Sequence, residues 1–262
     1  IYIGNLTNSA LGTGTGSCNV FIGYYSGYNN KVDGNTFIGY QSGYSNTSGC
    51  CNIFIGPNAG YLNKTGSQNI FIGIDSGKSN TSGFSNIFIG RQSGNCNTTG
   101  IQNVFIGDCS GFYNSTGYSN IFIGRCSGHC SSNIGNVFIG DFAGRLTKSD
   151  QNIFIGWSTG YSNVSGSGNV YIGDQSGYST TGGCNTFVGR GSGGDNICSE
   201  YSTFIGMGSG SINLCSNLNT YVGYVSGPSS LGVTNSFNLY GTYINNSSNT
   251  GNTFIGSLSG IG

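Results

Sequence analysis

The sequence predicts an all-β fold, a β-solenoid of about 16 coils with 16–17 residues per coil. Three observations carry that expectation: a tandem repeat through all 262 residues, one β-favouring run in each repeat, and glycine where charge would normally stand. With the glycine that ends each Phe-Ile-Gly run as position zero, the repeat falls at Gly4, Gly23, Gly39, Gly56, Gly73, Gly90, Gly107, Gly124, Gly140, Gly156, Gly173, Gly189, Gly206, Gly223, Gly241 and Gly256. Most steps are 16 or 17 residues, and a fixed period of that size marks a stacked-repeat architecture. No second domain interrupts it, so residues 1–262 are expected to form a single solenoid. One irregular coil is expected at about 228–250, where Ser-Phe-Asn-Leu-Tyr-Gly replaces the motif.

The strand comes first in each unit. Val, Ile or Thr at −3, Phe or Tyr at −2 and Ile or Val at −1 each occur in 15 of 16 units, and these are residue types that strands favour. Gly, Ser, Asn and Thr fill the remainder and supply turns. Two glycines per unit oppose any helix. The unit therefore reads as five or six strand residues plus tight corners. A lone coil buries too little apolar surface to offset the chain entropy it loses, so coils must stack. Sixteen rungs at about 4.8 Å predict a rod of about 75 Å.

Stacking sets like residues in columns. The core ladder expected is Phe21, Phe37, Phe54, Phe71, Phe88, Phe105, Phe122, Phe138, Phe154, Tyr171, Phe187, Phe204, Tyr221 and Phe254. Asn at −4, present in 13 units, is expected to bond amide to amide between rungs. Side chains alternate faces along a strand, so −2 points away from −1 and −3, yet both faces are apolar. The aromatic is assigned to the interior, over the small residues at +3 and Gly at +4; the reverse assignment is the alternative. The Val/Ile/Thr column would then face a partner chain or another wall.

Composition narrows the function. Eight Lys+Arg balance eight Asp+Glu, and 6% charged residues leave no basic patch for nucleic acid. No apolar run nears the roughly 18–20 residues of a membrane span, and no signal peptide is visible at Ile1. Leu, Ile, Val and Phe total 61 residues, too many for a disordered chain, and the 50 glycines lack the every-third spacing of collagen. The chain starts inside a strand and stops shortly after a glycine without a polar cap. It is therefore expected either as a window in a longer repeat protein or as a rod joining end to end into an open filament.

At these residues the sequence resembles phage-type tail fibres, whose repeats take the form N-T-A-I-G-x-N-A-L-x-x-N-T-T-G, and more distantly the head repeats of trimeric autotransporter adhesins. The shared features are Asn at −4, Ile-Gly at −1 and 0, the small residue at +3 and the N-x-T-G corner, as in residues 86–102. The chain departs where the family's Ala at −2 is aromatic and its Leu at +4 is Gly, a large-for-small exchange between touching positions. The resemblance implies an extracellular fibre or adhesin shaft, often trimeric.

Six N-x-S/T sequons recur at +7, at Asn46, Asn63, Asn80, Asn97, Asn114 and Asn163, and Asn5, Asn245 and Asn246 also fit. They read either as a ridge of N-glycans or as Asx-turns, since the same residues favour both. Cys109 with Cys126, and Cys198 with Cys215, share an offset on adjacent rungs and are the disulfide candidates. Cys96 and Cys130 lie two rungs apart, and Cys18, Cys50, Cys51 and Cys184 lack an adjacent partner in their columns. Cys126, His129 and Cys130 near Cys109 form too loose a set for a metal. With one histidine and eight acids, a Ser–His–Asp site or a glycosidase carboxylate pair gives way to a simpler reading. Position +1 carries Arg91, Asp108, Arg125 and Asp141 on consecutive rungs, then Asp174 and Arg190, and opposite charges one rung apart oppose a slip in register. The Gly-x-x-Ser-Gly segments are corners and not phosphate cradles, because no helix follows them.

The expected function is therefore a non-enzymatic structural protein of the extracellular space, a cell surface or a virion surface. It needs no catalytic residue, metal or cofactor. Its partner is itself, as a homo-oligomer, filament or trimer, with surface glycans as a further partner and neither nucleic acid nor membrane insertion. The alternative is an adhesin shaft touching sugars through Tyr24, Tyr40, Tyr28, Tyr44, Tyr61, Tyr161 and Tyr178. Ice binding is more remote, because positions +8 and +9 mix Thr, Ser and Lys64.

Overall fold

Each β-branched–aromatic–β-branched run forms a strand, and the glycine after it turns the chain into a corner. A computed structural model describes residues 1–4, 16–211 and 217–227, and the backbone of the strands at 236–237, 244–245 and 252–255. The chain divides into two compact units, Ile1–Gly135 and Asn136–Gly262. Both are built from β-solenoid coils, and neither contains a helix among the described residues.

The first unit holds β1 (Tyr2–Ile3), β2 (Val20–Ile22), β3 (Thr36–Ile38), β4 (Ile53–Ile55), β5 (Ile70–Ile72), β6 (Ile87–Ile89), β7 (Val104–Ile106) and β8 (Ile121–Ile123). They pair in parallel in sequence order, with Phe over Phe and Ile over Ile, as in Phe54↔Phe71 and Ile55↔Ile72. The second unit repeats the pattern with β9 (Val137–Ile139), β10 (Ile153–Ile155), β11 (Val170–Ile172), β12 (Thr186–Val188), β13 (Thr203–Ile205) and β14 (Asn219–Val222). Most strands span three residues, shorter than the five or six expected. The glycine at zero takes a φ near +130°, as at Gly73, and ends the strand there.

The coil count falls slightly below sixteen. β14 pairs directly with β17 (Asn252–Ile255), Tyr221 opposite Phe254. Between them β15 (Ser236–Phe237) and β16 (Ile244–Asn245) pair antiparallel instead. The rest of the irregular stretch expected at 228–250 lies outside the described residues.

The aromatic column is the core. Every ring from Phe21 to Phe122 in the first unit, and from Phe138 to Tyr221 in the second, is at most 1% exposed. Neighbouring rings are stacked, with centroids 4.8 Å apart and planes 5° apart for Phe105 and Phe122, and 4.8 Å and 5° for Phe154 and Tyr171. The side chain of Phe254 lies outside the described residues. The small columns make room for the rings. Gly77 has φ +55°, and a Cβ there would sit 2.5 Å from the Phe71 ring. The serines at +3 are fully buried and bond across coils, Ser42 donating to the Phe54 carbonyl at 2.9 Å and Ser93 to that of Phe105 at 3.0 Å.

Candidate functional site

Alternation along each strand turns the −3 and −1 residues away from the rings, and both columns are half-buried to exposed: Ile53 is 38% exposed and Ile121 39%. From Val20 to Ile123 in the first unit, and from Val137 to Val222 in the second, neither column holds a charged residue. The result on each unit is a regular uncharged wall, mostly Ile and Val with Thr36, Thr186, Thr203 and Thr220 at −3, that the interior does not use.

Charge runs along the wall's edge at +1. Arg91 meets Asp108 on the next coil at 2.8 Å, and Arg190 meets Asp174 at 3.6 Å, so the expected rung-to-rung pairing is present at these two steps. The Asp108 carboxylate, through its hydrogen bond and its charge, raises the Arg91 guanidinium above its usual value. Asp108 and Asp174 thus serve neighbouring coils.

The sequon asparagines are not a glycan ridge. Asn46, Asn63, Asn80, Asn97, Asn114 and Asn163 are all 0% exposed. The side chains of Asn46, Asn63, Asn80 and Asn97 form a second internal ladder, Asn63 donating to Asn46 at 2.9 Å, Asn80 to Asn63 at 2.7 Å and Asn97 to Asn80 at 2.8 Å, whereas Asn163, between Thr147 and Thr180 in its column, bonds Gly166 within its own corner. The same amides close the corner, as Asn63 donates to the Gly66 carbonyl at 2.9 Å. A Cβ on Gly66 would lie 2.4 Å from the Asn63 side-chain oxygen, which explains the glycine of N-x-T-G. An oligosaccharide on any of these nitrogens would have to occupy the interior, so the turn reading replaces the glycan reading. Asn5 and Asn246, and the side chain of Asn245, lie outside the described residues.

The −4 asparagines form the ladder expected of them, with an addition. Side-chain oxygens accept the backbone N–H of the next coil, Asn69 onto Asn52 at 2.9 Å, while side-chain nitrogens donate to corner carbonyls, Asn52 to Gly66 at 2.9 Å, or, at Asn152, to the Ser149 hydroxyl at 3.1 Å. Amide-to-amide contacts such as Asn69 to Asn52, at 3.2 Å, are longer.

Cys109 and Cys126 carry no disulfide, which corrects that pairing. Both lie at equivalent left-handed positions, φ 54° and 52°, so their Cα–Cβ bonds run parallel. Cβ atoms then keep the rung spacing of about 4.8 Å, wider than the roughly 3.8 Å a disulfide uses. Burial, followed by the charge of Asp108, pushes the Cys109 thiol up to about 11, which keeps it protonated and a poor nucleophile near neutrality. For the other pair, Cys215 lies outside the described residues. His129 stacks on Phe112 at 5.4 Å and touches the Cys130 sulfur at 3.4 Å. Among the described residues no group of three or more His, Cys, Asp or Glu is placed to hold a metal, and no helix is long and apolar enough to cross a membrane.

The tyrosines form short outward columns. Tyr28, Tyr44 and Tyr61 stack at 5.2 Å per step, Tyr24 stacks on Tyr40 at 5.9 Å, and Tyr161 stacks on Tyr178 at 5.1 Å. The stacking follows from the shared offset. In comparisons with known proteins, no family model, no curated protein and no solved structure matches the chain.

Proposed function

We propose that the chain is a non-enzymatic structural protein, an extracellular or surface fibre element whose solenoid coils present an apolar wall to further copies of itself. The single observation that carries this reading is the wall: two uncharged columns, Ile87 and Ile89 among them, repeated at every coil and left half-open to solvent. A folded chain that works alone gains nothing from a long apolar outer face, and such faces mark association surfaces. The tail-fibre-like motif and the near absence of charge support a surface location, and they favour lateral or end-to-end self-assembly over contact with nucleic acid or lipid. A Cys198–Cys215 bridge, which would suit an oxidising compartment, belongs to the same proposal.

The test is electron microscopy with light scattering on the purified protein and on an Ile87→Lys/Ile89→Lys variant. Filaments or discrete oligomers are expected for the parent chain. The variant, with unchanged circular dichroism, is expected to fall to monomers because each lysine must be desolvated at the contact. Monomers of the parent chain at all concentrations, or assembly indifferent to both lysines, would refute the proposal.

A further inference from the structure

The tyrosine column of the second unit ends at a gap. Position +5 reads Arg145, Tyr161, Tyr178 and then Gly194 and Ser211 on successive coils, while +2 reads Gln175, Gly191 and Gly208. The stack is held from one side, where Arg145 donates to the Tyr161 hydroxyl at 2.7 Å and its guanidinium lies 5.8 Å from that ring's centroid. Its other side is open. Gly194 places no ring over Tyr178, and a Cβ built on Gly191 would meet nothing within 4 Å. A cavity of about 380 Å³ lies here, lined by Tyr178, Gln175, Asp195, Ser211 and three glycines.

We propose that this slot binds a neutral pyranose ring, stacked by its C–H face on Tyr178 and held by hydroxyl hydrogen bonds to Gln175, Asp195 and Ser211. Dimensions and chemistry agree. Two coils without a large side chain open the column by about 9–10 Å, which is room for one saturated ring against an aromatic face. The volume falls within the range of small-ligand sites, which join one apolar surface to a few convergent polar groups. Gln175 supplies both donors and an acceptor, the Asp195 carboxylate accepts only, and Ser211 does either. That rim matches adjacent sugar hydroxyls, each of which donates and accepts. Among the described residues no cationic side chain lines the slot, so the match is to an uncharged saccharide and not to a phosphate or sulfate. This goes beyond the scaffold role and does not depend on it.

Saturation-transfer NMR with methyl glucoside, galactoside, mannoside and N-acetylglucosaminide, each at ~10 mM to capture millimolar binding, tests the site. Transfer to the ring protons of at least one pyranoside is expected. Gly194→Tyr fills the slot with the residue type that already stands at this offset on two earlier coils, and Gly194 has no left-handed φ to forbid it. That variant is expected to keep its circular dichroism and to lose affinity by about tenfold or more. Tyr178→Ala should lose comparably, whereas Tyr40→Ala in the first unit should not. No transfer to any pyranoside, binding that survives Gly194→Tyr, or binding of phenol in their place would overturn the proposal. Assembly seen by microscopy is expected to be unchanged by Gly194→Tyr, which lies outside the −3 and −1 columns, so the two proposals fail separately.

Discussion

At the scale of single residues, two buried polar groups carry predictions. The inner asparagine ladder of the first unit makes its last bond from Asn97 to Asn80; Asn114 does not donate to Asn97, and the next position in the column is Ser131, whose side chain is shorter. Both amide atoms of Asn114, the Asn97 oxygen and the Ser131 hydroxyl are buried without a hydrogen-bond partner. Ser131→Asn offers the buried Asn114 oxygen a donor and is expected to stabilise the fold by about 1–3 kcal/mol, the usual cost of such an orphaned group, read as a higher midpoint in urea. Tyr171 is the second case. Its hydroxyl is buried inside the ring ladder with no hydrogen bond of good geometry, although Asn185 and Thr180 lie beside it. Burial drives its ionisation well above the usual phenol range, as it does for Tyr221. A folded pKa above the unfolded value of about 10 means stability is held below that pH and lost as pH climbs past it. The parent chain is expected to melt progressively lower above about pH 10, and Tyr171→Phe with Tyr221→Phe to flatten that decline. Parallel declines in the two proteins would show that these phenols are not responsible.

At the scale of one coil, the strand offers a direct contrast between its two faces. Phe88 is fully buried between Phe71 and Phe105, while Ile87 on the same strand faces outward. Phe88→Ala is expected to cost about 3–5 kcal/mol through lost burial and the cavity left behind, and Ile87→Ala far less in the isolated chain, as measured by denaturant unfolding. Here the sequence was most readable. A three-residue apolar run at a fixed period defines strand, register and core column together, and the small partners of the ring at +3 and +4 follow from volume alone. What resisted reading was direction. The N-x-S/T-G corner reads equally as a sequon and as a turn, and only the inward aim of Asn63 onto Asn46 separates them. A shared column put Cys109 beside Cys126 but did not reveal that parallel Cβ vectors keep the sulfurs from bridging. The bond from Ser42 to the Phe54 carbonyl leaves no signature, because its acceptor is backbone. The slot beside Tyr178 was hidden for a related reason. The tyrosines were legible as a column, but an absent side chain at Gly194 gains meaning only once its neighbours are placed.

At the scale of the molecule, each inner coil within a unit is completed by the coil on either side, through ring contact and strand pairing, with asparagine bonds added where both coils carry the amide. Among the described residues, position-specific chemistry sits at departures from the repeat: the charges at Arg91 and Asp108, the ladder broken between Asn97 and Asn114, and the glycines that end the tyrosine column. The apolar wall, by contrast, belongs to every coil, which is why the lysine substitutions at Ile87 and Ile89 are directed at it and not at a local site. In-register pairing such as Phe54↔Phe71 and Phe71↔Phe88 has one more consequence. A stretch of DNA encoding one period can be duplicated or lost by unequal recombination, and the protein would lengthen or shorten by one rung with the Phe and Ile columns keeping the same neighbour types. Length is therefore the property of this chain that inheritance can adjust most cheaply.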